Sequence, residues 1–174
     1  MKKRLLSILL ALLMVASVAT STYAQGNVEQ ILSGSPYVST INNKVSRFLA
    51  IQPRGSIIST GILQISNKGK GNIGVYIQTL THQEVDETIF GVYLDRWIAS
   101  EKRWATVANY KFTYTKEDNP DDDLTIKSVA FDIEGQPVDC YYKLRGAHLV
   151  ILNGNREMLT SETDGILITD TVEQ

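Results

Sequence analysis

The chain has little of what would staple, charge or metallate it. Of its 174 residues only Cys140 is a cysteine, so no internal disulfide can form and the fold has to stand on packing. As a free thiol it reads as a small buried hydrophobe. There are two histidines, His82 and His148. Neither has another histidine nearby at metal-ligand spacing, so a zinc site has no converging ligand set to start from, and both read as surface or packed side chains. No serine stands in a Gly-x-Ser-x-Gly elbow; Arg54-Gly55-Ser56-Ile57 lacks the second glycine. Cys140 and His148 lie eight residues apart. On one strand that is about 26 Å, too far for a nucleophile and its base. A basic excess is also missing, with 17 Lys and Arg against 19 Asp and Glu, which argues against a phosphate-binding face and hence against nucleic acid. No motif asks for a cofactor.

What is present begins with a leader. Lys2, Lys3 and Arg4 precede an apolar run from Leu5 to Ala19, and Thr22-Tyr23-Ala24 offers a small-x-small cleavage site before Gln25. The run is broken by Ser7 and Ser17, which favours a cleaved export signal over 1–24; a retained anchor is the alternative, a membrane span taking about 20 apolar residues. No cysteine follows at once to take a lipid. The expectation is a secreted chain of 150 residues with no membrane span after cleavage. Removing Lys2, Lys3 and Arg4 takes the 17 basic residues to 14 against 19 acids, a formal charge of −5. That length suits one domain with its own core.

Residues 25–45 are rich in Gly, Ser, Thr and Asn and read as a loose N-terminal arm. From 46 to 170 the pattern is that of strands. Candidate strands run from Arg47 to Gln52, Ser56 to Ser66, Ile73 to Val85, Thr88 to Ala99, Trp104 to Thr115 and Leu124 to Ile133. A closing pair follows, Asp139 to Leu152 and Asn155 to Thr160. Gly61 reads as a possible bulge in the second. Asn67 to Gly71 and Asn153-Gly154 are hairpin turns, glycine and asparagine supplying the positive φ such turns need. Many short alternating strands and no helical period predict an all-β fold, an antiparallel immunoglobulin-like or fibronectin type III-like sandwich of about seven or eight strands. A closed barrel is the alternative. The sandwich is preferred because Tyr142 lies just beyond a Gly135-Gln136-Pro137 turn, where such domains place a buried corner tyrosine. Tyr142, Leu144 and Gly146 are then inward, and Tyr141, Lys143 and Arg145 outward.

The stretch Tyr141-Tyr142-Lys143-Leu144-Arg145-Gly146-Ala147-His148, its turn, and Asp164-Gly165-Ile166 resemble a family of small exported proteins of Gram-positive bacteria known only as a domain of unknown function. Val92-Tyr93-Leu94, with a polar tip and Trp104 after it, belongs to the same resemblance, which spans Arg47 to Ile168. It implies the immunoglobulin-like sandwich and export, and brings no catalytic residues.

Two constellations remain. Glu117 to Asp123 is the most acidic run, and Asp118, Asp121, Asp122 and Asp123 are the residues a calcium ion would need, since it takes about six to eight oxygen ligands. The run lacks the EF-hand glycine and terminal glutamate and Pro120 interrupts it, so a solvated loop without metal is expected. Tyr93, Trp97 and Tyr141 are candidate outward aromatics, able to stack on a sugar or to anchor a protein contact. The expected role is a non-enzymatic, extracellular protein-interaction module; a carbohydrate-binding module using those rings is the alternative, and a small hydrolase a weaker one. The partner, an extracellular protein or a glycan, is not named by the sequence.

Overall fold

Alternation with a period of two, broken by positive-φ turns, produces nine strands in the computed structural model, which describes residues 45–51 and 56–172, the side chains of 49–51 excepted. The expected leader over 1–24, and the arm over 25–45 up to Val45, lie outside the described residues. The strands are β1 (Val45–Ile51), β2 (Ile58–Gly69), β3 (Asn72–Thr81), β4 (Glu87–Ile98), β5 (Arg103–Thr115), β6 (Ile126–Ile133), β7 (Cys140–Leu152), β8 (Asn155–Glu162) and β9 (Ile166–Ile168). The ninth is the short apolar tail of the closing hairpin. All recorded pairings are antiparallel.

Two sheets face each other. One has the order β1-β2-β3-β6; the other runs β5-β4-β7-β8, with β9 continuing the edge of β7 that β8 leaves. This is the expected sandwich. It shares its two-layer antiparallel architecture with immunoglobulin domains, while its strand order differs from theirs. The corner tyrosine is in place: Tyr142 is fully buried and its hydroxyl donates to the Pro137 carbonyl at 3.1 Å. Burial raises its phenol above the ordinary value, against the lowering influence of Arg96.

The turns behave as their residues dictate. Asn153 (φ 49°) and Gly154 (φ 78°) form a two-residue loop that pairs Leu152 with Asn155, and Lys70 (φ 56°) with Gly71 (φ 73°) does the same between β2 and β3. Positive φ at both loop positions is the type I′ geometry whose twist matches the flanking strands. Gly61 is not a bulge: its ladder is regular, and the irregularities fall between Ile58 and Thr60 and between Asn67 and Gly69. Glycine is required there for space instead, since a Cβ would lie 2.8 Å from Leu159 Cδ2 and 3.1 Å from His148 Nε2.

The inward faces interleave Leu63, Ile65, Ile77, Phe90, Leu94 and Leu144, all fully buried. Each such side chain contributes about 1.5–3 kcal/mol on burial. A second cluster, Ile57, Ile58, Val85, Leu124 and Val150, closes one end. Val85 and Leu124 were expected at strand ends, but β3 stops at Thr81 and β6 starts at Ile126. Their apolar character serves burial in the end cluster rather than the ladder. Cys140 is half-buried against the core instead of fully enclosed, because it sits at the first position of β7.

Candidate interaction face

The outer face of the five-stranded sheet gathers the outward aromatics. β4 and β7 pair so that Tyr93 stands opposite Arg145 and Asp95 opposite Lys143, while β4 and β5 place Trp97 opposite Trp104. Tyr141 lies on the same face of β7, paired with Leu167 of β9. Tyr93, Trp97 and Tyr141 are thus brought onto one surface by the period of two along each strand and by the pairing of β4 with β7. Tyr93 is the exposed one, at 40%; Trp97 and Tyr141 are half-buried.

Asp95 holds this face together. Its residue is almost fully buried on the outer side of the sheet, where Arg145 Nε donates to Oδ2 at 2.6 Å and Nη2 to Oδ1 at 3.1 Å, and the Thr106 hydroxyl donates to Oδ1 at 2.7 Å. Burial by itself would raise the Asp95 carboxyl, but the bonds from Arg145 and Thr106 outweigh it and hold it below the usual carboxylate range. The same pairing raises Arg145, whose guanidinium lies over the Tyr93 ring at 5.2 Å. Lys143 pairs with Glu162 and lies 5.0 Å from the Trp104 ring centroid. Tyr93 and Trp104 are therefore each covered by a cation that is itself paired with an acid.

The rings do not form a flat platform. Trp97 and Trp104 meet edge to face, at 5.5 Å and 66°, and one side of Tyr93 is taken by Arg145. Beside them a groove of about 430 Å³ opens between Tyr93, Arg145, Thr160, Glu162 and Phe48 of β1. Such a surface offers packed aromatic edges with a polar rim, the composition that anchors protein contacts.

Trp104 and Asp95 were not among the residues picked from the sequence. Trp104 was legible as a strand aromatic and as part of the resemblance but not as a site residue, because its partner across β4 depends on the register of a loop of four residues. A carboxylate between Leu94 and Arg96 in an apolar strand was the available signal for Asp95.

Three of the four aspartates of the acidic run are engaged by neighbouring groups. Lys116 Nζ donates to the carbonyls of Pro120 at 2.7 Å and Asp122 at 2.8 Å, so an ammonium sits on the carbonyls a cation would use. Asp122 pairs with Lys127, Asp118 accepts from the Thr115 hydroxyl at 2.6 Å, and Asp123 accepts from the Thr125 N–H at 2.8 Å. Among the described residues no group of three or more His, Cys, Asp or Glu gathers as a metal site. Nor, among them, is any helix long and apolar enough to cross a membrane. His82 is exposed and His148 fully buried, on different strands' surroundings and not together.

No protein-family model matches the sequence, and no curated protein matches it.

Proposed function

We propose that the chain is an exported, non-catalytic sandwich that recognises another protein through the outer face of its five-stranded sheet. It is proposed to belong with the small exported proteins of Gram-positive bacteria that its closing hairpin resembles. The observation that carries the reading is the convergence of Tyr93, Trp97, Trp104 and Tyr141 with Arg145 on one face, the residue types that dominate binding energy in protein interfaces. The edge-to-face tryptophans favour a protein over a stacked sugar on this surface. Rigidity also favours it, since side chains already fixed by Asp95 and Glu162 lose less freedom on binding.

The test uses residues 25–174 as bait, cross-linked to surface and medium proteins of the producing cell, beside Trp104→Ala and Arg145→Ala. One partner should be captured by the wild type and depleted at least about thirtyfold by either substitution, the equivalent of a loss of about 2 kcal/mol at a binding anchor. Equal capture by all three baits would refute this face as the site.

A further inference from the structure

The outer face of the four-stranded sheet is built on another plan. Because the alternate residues of β2, β3 and β6 fill the core, Gln64, Ser66 and Lys68, Gly74 and Tyr76, and Ala130 and Asp132 are left facing outward. Register sets them in two neighbouring rows across the strands, Gln64 beside Tyr76 beside Ala130, and Ser66 beside Gly74 beside Asp132. A trough of about 380 Å³ runs over these rows.

Gly74 lets polar side chains lie directly against the backbone at the floor of the trough. A Cβ there would collide with the Ser66 hydroxyl, lie 2.7 Å from Lys68 Cε and stand 3.4 Å from Asp132 Oδ1. Its φ is not in the left-handed region, so the glycine answers a need for room and not for backbone freedom. Three polar side chains thus close on one bare stretch of backbone, and Ser66 is held in place by donating to the Gly74 carbonyl at 3.3 Å. Tyr76 and Gln64 stand in the adjoining row.

The chemistry of this set is narrow. One ammonium and one carboxylate cancel, so the trough attracts neither a polyanion nor a polycation. Its rim is polar, which disfavours an apolar partner. A carboxylate that accepts from neighbouring hydroxyls, an amide and an ammonium that donate, and one phenol ring to lie against C–H groups together match a sugar ring, whose hydroxyls need donors and acceptors at once. The volume falls in the lower part of the range for small-molecule sites, about 300–1,000 Å³. We infer that this trough is a saccharide-binding site for a short uncharged oligosaccharide, separate from the aromatic face of the other sheet.

An array of uncharged oligosaccharides, with uronic-acid oligosaccharides as charged controls, is probed with residues 25–174 and the best uncharged hit is titrated by calorimetry. The expected result is a Kd of about 1 mM or tighter. It should weaken at least about tenfold in Asp132→Asn and in Tyr76→Ala, and hold in Trp104→Ala on the opposite sheet. Asp132 is exposed and its replacement is isosteric, so that variant tests the site even where Tyr76→Ala disturbs the sheet. Silence of every uncharged probe, binding of the charged controls alone, or binding that is indifferent to Asp132→Asn and lost in Trp104→Ala would overturn the inference. The first two outcomes leave protein capture by the aromatic face untouched, and the third would move the sugar to that face, so failure of this inference is distinguishable from failure of the protein reading.

Discussion

Acid should loosen this sandwich through one buried histidine. His148 is fully enclosed between the sheets, with Nδ1 2.9 Å from the Thr79 hydroxyl, Nε2 2.9 Å from the Ser161 hydroxyl, and the Phe90 ring edge-on at 6.1 Å. Both polar partners are neutral, and burial depresses the imidazole from its ordinary 6.5 to about 4. Between those two values the unfolded chain binds a proton that the folded one refuses. Stability from this group is therefore complete above pH 6.5, falls as pH drops from 6.5 to about 4, and changes no further below that. The whole gap is worth about 3 kcal/mol, and about 2 kcal/mol of it is spent between pH 7 and pH 4.5. Urea unfolding at those two pH values should show that loss in the wild type beyond what His148→Asn shows, since asparagine keeps a donor and an acceptor but cannot take the proton. Comparing the pH dependence of the two chains removes the carboxylates, Asp95 and Glu157 included, from the difference. If His148→Asn lost as much stability as the wild type on acidification, or if the ring protons of His148 half-titrated near 6.5, the argument from burial would be wrong.

Two further substitutions check how the core is satisfied. Tyr142→Phe removes only the hydroxyl that donates to Pro137, so it should lower stability by about 1 kcal/mol while leaving the sheets intact, as read by the urea midpoint and far-ultraviolet dichroism. A loss within error would mean that the corner bond adds nothing beyond the buried ring. Thr88 carries a fully buried hydroxyl without a hydrogen-bond partner among the described residues, so Thr88→Val, which keeps the shape and removes the polar atom, should raise stability by about 1 kcal/mol. A lower melting temperature would show that the hydroxyl has a partner after all.

The sequence by itself determined the fold class and most of the strands, because the period of two and the positive-φ turns are local. Asn153-Gly154 names its turn type without help from the rest of the chain, and alternation around Tyr142 and Leu144 tells inside from outside on β7. The same alternation put Tyr93, Trp97 and Tyr141 on outward positions. It failed where burial and pairing separate: Val85 and Leu124 are apolar for the end cluster and not for a ladder, and Gly61 is small for His148 and not for a bulge. Only the tertiary structure decided what faces what. Whether Trp97 meets Trp104, whether Arg145 reaches Asp95, and whether Ser66, Gly74 and Asp132 form one row all depend on register between strands distant in sequence. A one-residue slip would turn every one of those side chains to the other face. The strand order, β6 beside β3 and β7 beside β4, is likewise a choice among pairings that the alternating pattern allows equally, settled by which inward faces fill a common core.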